Sequence, residues 1–261
     1  MKSAKNLEPK FLPGAALLLE PDKVLVIGDL HLGMEHEIFR SGIMIPSQTE
    51  KIMERIDSLV RESNVKHLVF LGDVKHSIPV SSFQEDRELP LFLNHFAAKI
   101  KTSLVKGNHD GDIEKLSPRG IKIYPSSGFG TKNFWLAHGQ SWPPAEALGC
   151  EYLVIGHDHP AVQFRDIVGS RSVEQCWLAS KSDREKLEKK YGKACKLEKI
   201  ISVPVFNRLI GGMPFNRKSS NKSGKKFKPL SPILQMADWK HSEVYLLDGT
   251  FLGTLDKMKR I

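Results

Sequence analysis

The stretch from Lys23 to Gly33, KVLVIGDLHLG, decides how the rest of the chain is read. It opens as an apolar strand and runs without a break into Gly28, Asp29, Leu30 and His31. Just upstream lies a second apolar run, AALLLE at 15–20, and the segment Glu20-Pro21-Asp22-Lys23 between them is turn-like. Together they predict a hairpin that enters the fold. Downstream, Ser47 and Glu50 have the spacing of a capping box, and Ile52, Met53, Ile56, Leu59 and Val60 follow at helical intervals. That pattern predicts an amphipathic helix.

The strand-then-polar arrangement recurs. HLVFLGD at 67–73 is followed by a predicted helix around LPLFLNHFAAKI at 89–100, and TSLVKGNHD at 102–110 closes the unit. This alternation builds a sheet covered by helices. Three more strands are expected at IKIYP (121–125), NFWLAHG (133–139) and EYLVIGHDHP (151–160). Each apolar run ends in a short polar signature, DLH, GD, GNHD, AHG or GHDH. In α/β sheets the C-terminal ends of strands share a rim, so groups spread over about 130 residues converge there.

Beyond residue 160 the pattern loosens. AVQFRD, SVEQCWLAS and KIISVPVFNRLI read as strands, interrupted by a charged helix whose start, Ser182 with Glu185, again has capping-box spacing. Residues 217–228, RKSSNKSGKKFK, carry six basic and no acidic side chains and read as a mobile basic loop. EVYLLDG and TFLGTL, joined through Asp248-Gly249, predict a C-terminal hairpin. The expected organisation is one domain over 1–261, with a less regular region at 160–243.

With 261 residues and 40% hydrophobic content, the chain can bury a large core. The net charge of +9 favours phosphate-bearing partners, DNA or RNA among them. Cys150, Cys176 and Cys195 lack the close pairing of a zinc or disulfide framework, so buried, reduced thiols in a cytoplasmic protein are expected. The apolar run FLPGAALLLE is too short to span a bilayer, so no membrane partner is expected, and a homodimer is compatible with the sequence.

Of ten histidines, five fall in the strand-end signatures, beside Asp29, Asp73 and Asn108. Mixed imidazole and oxygen donors suit ions such as Mn, Fe or Zn better than Ca or Mg. A lone strand-end Asp is ordinarily a cap, and a lone buried His is ordinarily hydrogen-bonded. Burying so many polar groups together without cations would be costly, and this favours a metal centre.

The ordered set GDLH, GD, GNHD, AHG and GHDH, over residues 28–159, resembles the signature of calcineurin-like metallophosphoesterases. The resemblance implies a four-layer α/β/β/α sandwich of two stacked mixed sheets flanked by helices. It implies two divalent transition-metal ions, manganese first, with Fe, Zn or Ni as alternatives. Asp29, His31 and His159 would bind one ion and Asn108, His138 and His157 the other, with Asp73 bridging. A hydroxide held between the ions would attack a phosphodiester.

In this scheme His109 is the general acid and Asp110 orients its imidazole. His76, three residues after Asp73, matches a phosphate-positioning histidine of the branch that contains SbcD-like DNA-repair nucleases and short related phosphoesterases. The chain has no long capping domain of the kind found in full nucleases. A hydrolase of nucleotides or other small phosphoesters, and a non-catalytic scaffold on the same fold, are the competing functions. His36, His67, His95 and His241 have no motif support and read as surface or packing residues. Trp142 and Trp177 read as core.

Overall fold

The computed structural model describes residues 9–217 and 227–258. The chain opens with β1 (Lys10–Leu12), β2 (Ala16–Leu19) and β3 (Val24–Ile27), paired antiparallel in that order. Two helices follow, α1 (Met34–Arg40) and α2 (Thr49–Glu62), and the chain returns as β4 (His67–Phe70) parallel to β3. After α3 (Phe83–Ala97), β5 (Lys101–Val105) extends the parallel run; α4 (Ile113–Leu116) leads to β6 (Lys122–Tyr124), which completes it. The first sheet therefore has the order β1-β2-β3-β4-β5-β6.

The second sheet begins with β7 (Phe129–Gly130), β8 (Phe134–Ala137) and β9 (Tyr152–Ile155). It continues with β10 (Pro160–Arg165), the long β11 (Arg171–Lys181), helix α5 (Arg184–Tyr191) and β12 (Lys199–Ser202). β13 (Met213–Pro214) and the hairpin β14 (Glu243–Leu246) and β15 (Phe251–Thr254) complete it. Its order is β13-β10-β11-β12-β9-β8-β7, with β14 added against β11.

The two sheets stack because their strands are apolar on both faces. Leu17, Leu19, Val24, Val26, Val69 and Leu71 point from the first sheet into a layer shared with Phe134, Leu136, Val154, Trp177 and Ile201 of the second. The alternate residues, Leu18, Leu25, Ile27, Leu68 and Phe70, meet Ile52 and Ile56 of α2 and Leu89, Phe92 and Phe96 of α3. On the far side Leu153, Ile155, Cys176, Leu178 and Ile200 pack against Leu187 of α5. Helix, sheet, sheet, helix is the four-layer architecture expected. Each such side chain contributes roughly 1.5–3 kcal/mol when fully buried.

Several local readings shift. The α2 N-cap is Gln48 without a side-chain cap bond, and Ser47 Oγ instead donates to Glu88 at 2.7 Å, so the Ser47–Glu50 box does not form. A capping box does form at Ser82–Glu85, starting α3 six residues before the apolar run that predicted it. For α5 the cap is Asp183, which accepts from the Lys186 amide, while Ser182 Oγ donates to the Leu197 carbonyl. β12 stops at Ser202 and the rest of 199–210 is irregular, with Pro204 unable to donate a ladder hydrogen bond.

Trp177 is fully buried, as expected. Trp142 is not: it is 38% exposed, with the Lys190 ammonium 3.7 Å from its ring centroid. All three cysteines are free and buried, and the hairpin through Asp248-Gly249 forms, with Gly249 at φ 89°. The basic-loop expectation falls mostly on residues 218–226, outside the described residues. Among the described residues, no helix is long and apolar enough to cross a membrane.

Candidate metal centre

The polar signatures leave the ends of five strands that share one edge of the stacked sheets. Asp29 and His31 follow β3, Asp73 follows β4, and Asn108, His109 and Asp110 follow β5. His138 follows β8, and His157 and His159 follow β9. Neighbouring signatures are laced together by backbone hydrogen bonds, Asp29 N to Gly72 O at 3.0 Å, His31 N to Asp73 O at 2.8 Å and Gly156 N to His138 O at 2.8 Å. Asp29, His31, Asp73, His157 and His159 all have positive φ, between 42° and 68°. Left-handed backbone at non-glycine residues is strained and persists where the surroundings over-determine it, as at functional sites.

The glycines before these residues admit a side chain from another strand. A Cβ on Gly107 would lie 2.1 Å from Asp73 Oδ1, and one on Gly156 would lie 2.5 Å from Asp29 Oδ2. Both sites need the missing side chain for close approach.

Two groups of donor atoms result, each within 4.8 Å of one another: Asp29, His31 and His159, and Asp73, His138 and His157. Asp73 Oδ2 reaches both groups, 3.7 Å from His31 Nε2 and 3.3 Å from His138 Nε2. Asp29 Oδ1 lies 3.1 Å from His159 Nε2. Asp29, Asp73, His31 and His138 are all at most 3% exposed, whereas Asn108 stands at the exposed rim between Gly107 and His109.

Hydrogen bonds fix which nitrogen of each ring faces inward. His138 Nδ1–H donates to the Leu71 carbonyl at 2.8 Å, which turns Nε2 toward Asp73. His76 Nε2–H donates to Glu37, and His76 Nδ1 lies 3.3 Å from His31 Nδ1, which turns His31 Nε2 inward in the same way. His31 Nε2 and His138 Nε2 are buried with no hydrogen-bond partner among the described residues.

Charge follows the same logic. Burial pushes the Asp73 carboxyl up, but His138, 3.3 Å away, and the charge of His31 outweigh it and hold the group well below the carboxylate range. Asp29 is likewise lowered, chiefly by His159 and His138 against its own burial. Burial takes His31 down to about 3 and His157 to about 4, leaving neutral imidazoles. His138 goes the other way, to about 9, because Asp73 and Asp29 overcome its burial, and His159 is raised by Asp29. The cluster keeps its carboxylates ionised and draws positive charge toward them.

Residues 22–187 match the sequence profile of calcineurin-like phosphoesterases. The chain belongs to the calcineurin-like phosphoesterase family. It is similar in structure to the nuclease MPE of Pseudomonas putida, with a TM-score of 0.55 and 18% identity over 95% of this chain and 100% of that one. That likeness shows a shared fold. A second solved structure, the phosphoesterase Yfce of E. coli, aligns at a TM-score of 0.40 with 16% identity, over 88% of this chain and 96% of that chain. No curated protein matches the sequence.

The family name implies bound metal, and the residues present fit it. Two buried imidazole nitrogens without partners face two ionised carboxylates, a donor set of mixed N and O that divalent ions satisfy. A further group, His31, His76 and His109, also comes within 4.8 Å, but His76 is already committed to Glu37 and His31.

Two sequence expectations meet different geometry. Asp110 does not touch the His109 ring: its carboxylate accepts from the amides of Val74 at 2.9 Å, Lys75 at 3.2 Å and Gly107 at 2.8 Å. Full burial and the nearby Asp73 charge raise Asp110 to about 6. What orients His109 is the His76 carbonyl, which accepts from Nδ1, together with the His109 amide, which donates to Asp73 Oδ1 at 2.8 Å. Both nitrogens of His76 have protein partners, Nε2 at Glu37 and Nδ1 at 3.3 Å from His31 Nδ1, so its ring supports His31.

Sequence reasoning missed two supporting carboxylates. Glu85, 1% exposed, accepts from the amides of His76 at 2.8 Å and Ser77 at 2.7 Å and so holds the loop after Asp73. The spacing Ser82-x-x-Glu85 was a legible signal for it. Asp158 lies inside the GHDH signature; it is buried and accepts from the Leu230 amide at 2.7 Å, tying the site to the irregular segment after 227.

Proposed function

We propose that this protein is a dinuclear-metal-dependent phosphodiesterase acting as a nuclease, in the manner of the SbcD-like branch. The carrying observation is the pair of donor groups that share Asp73, each lined by inward imidazole nitrogens. Asp29, His31 and His159 would hold one divalent ion and Asn108, His138 and His157 the other, with Asp73 serving both. Manganese is the first choice from the family resemblance, and the mixed imidazole and carboxylate donors also admit Fe, Zn or Ni. When bound, such ions supply Lewis-acid stabilisation of phosphoryl oxygens and lower the pKa of water toward about 7.

Hydrolysis joins a water oxygen to phosphorus, breaks one phosphorus–oxygen ester bond, and sends a proton to the departing alkoxide. His109 provides that proton. Its Nδ1–H is held by the His76 carbonyl, which can only accept, so Nε2 is the nitrogen that exchanges a proton with substrate. Glu37, His76 and His31 form a hydrogen-bonded series that keeps the His31 ring in its inward tautomer. Asp110 pins the Val74–Lys75 and Gly107 backbones on which Asp73 and His109 are carried.

The test is His109→Ala with manganese on single-stranded pentathymidylate, whose departing alkoxide needs the proton. Hydrolysis should fall by about 10²-fold while metal content is retained. Equal turnover by mutant and parent removes His109 from the mechanism.

A further inference from the structure

A cleft of about 780 Å³ runs outward from the candidate site, between α1 and the loop that follows Asp73. Its size lies in the range of ligand clefts, roughly 300–1,000 Å³. His76 and His109 stand in its wall, so a group bonded to a phosphorus beside His109 has this cleft as a way out. The remaining walls mix apolar side chains with polar ones, His36, Ser41 and Ser77 among them. Met34, Ile38 and Ile78 are apolar, and Ile78 is 59% exposed. Arg40, in the last turn of α1, brings a guanidinium that makes no hydrogen bond or ion pair among the described residues. The one carboxylate in the lining, Glu37, is bound to His76 Nε2.

Apolar side chains and a guanidinium that makes no hydrogen bond among the described residues and acts on Glu37 only through its charge share a cleft continuous with the reacting site, which matches a nucleotide better than a bare ester group. The flat face of a base or sugar loses little against Ile78 and Ile38, and a phosphate supplies the oxygens that Arg40 lacks. We propose that the cleft seats the nucleotide next to the scissile phosphodiester and that Arg40 binds that nucleotide's own phosphate, so that the substrate is a polynucleotide. The proposal rests on the phosphodiesterase reading of the same site. It makes Arg40 a specificity-determining residue: a substrate with a single phosphate gains nothing from it.

The experiment compares the parent, Arg40→Ala and Lys189→Ala, the last removing an exposed charge on α5, on the far side of the second sheet. Each is assayed with manganese on single-stranded pentathymidylate and on bis-p-nitrophenyl phosphate. Arg40→Ala should lower the ratio of kcat/KM for the oligonucleotide to kcat/KM for the small diester by about tenfold, through KM, and Lys189→Ala should leave the ratio in place. Fluorescence anisotropy with labelled pentathymidylate, without added metal, gives a readout independent of turnover. There Arg40→Ala should weaken binding by about tenfold and reduce the slope of log affinity against log salt by about 0.7, one phosphate contact on a single strand.

An unchanged ratio and salt slope in Arg40→Ala, or the same shift in Lys189→Ala, overturns the subsite. Parent protein that cleaves the small diester but no polynucleotide overturns both the subsite and the nuclease reading and leaves only a phosphodiesterase, whereas a parent that cleaves pentathymidylate with Arg40→Ala unchanged overturns the subsite alone. Parent protein that cleaves neither substrate overturns the phosphodiesterase as well.

Discussion

The two sheets bring different chemistry to the edge where they meet. The first sheet supplies the carboxylates Asp29 and Asp73 with the imidazole of His31; the second supplies imidazoles alone, His138, His157 and His159. Neither of the two donor groups that contain a carboxylate is complete within one sheet. Asp29 and His31 are completed by His159 from across the seam, and Asp73 by His138 and His157. The difference teaches that the centre is a product of sheet stacking: the apolar layer of Leu17, Val26, Val69, Leu136 and Val154 is what sets the carboxylates of one sheet against the rings of the other.

The largest expected effect comes from breaking that division at the residue both groups share. Asp73→Asn keeps the shape and removes the charge, and should reduce manganese-dependent hydrolysis on the order of 10³-fold, equivalent to several kcal/mol of lost charge stabilisation. Steady-state rates with saturating manganese check it. A loss of tenfold or less would mean that Asp73 does not serve both donor groups.

A smaller effect is expected from the support on the first sheet's side. Glu85→Gln leaves one carbonyl oxygen for the amides of His76 and Ser77 but removes the charge. Hydrolysis should fall by about tenfold, the lower end for a residue that orients others, with kcat affected more than KM. The altered setting of His109 should also move the pH–rate profile. A lower unfolding midpoint with an unchanged kcat and pH profile would reduce Glu85 to a helix cap.

The smallest effect lies away from the site and distinguishes the sheets by stability. His67 starts β4, bonds Ser103 Oγ at 2.9 Å, and is held down to about 4 by burial and by Lys101. The unfolded chain takes up this proton near 6.5 and the folded chain only near 4, so the unfolded state binds more protons between those values. The stability contribution is full above pH 6.5 and is lost as pH falls toward 4. His67→Gln should flatten the pH dependence of the urea midpoint across that window; a parallel curve would contradict it.

The legibility of the chain divides along the same seam. Strands and signatures of the first sheet were readable because each is local, an apolar run ending in charged or polar residues. The second sheet was readable as far as Ser202 and again at the C-terminal hairpin; between them the described residues 203–217 and 227–242 follow neither a helical nor a strand period and are held by contacts such as Asp158 to Leu230. The residues that converge were legible in the five signatures, and the four layers through the family resemblance.

The wiring was less legible. Asp110 stands next to His109 in sequence, yet its carboxylate bonds to amides 35 and 36 residues away, a pairing no local pattern encodes. The capping box was misplaced for a related reason: Ser47 Oγ accepts from the Thr49 amide at 3.2 Å but donates to Glu88, 41 residues distant, and so does not pair with Glu50.

The central claim, that the stacked sheets create a place for two cations, is tested most directly by counting them. Folded, full-length protein is loaded with manganese, desalted, and analysed for metal per chain by mass spectrometry, beside His138→Ala. The account predicts about two ions in the parent and a clear loss in the variant, whose first-sheet donors are intact. A folded parent that retains no manganese, zinc or iron would contradict it.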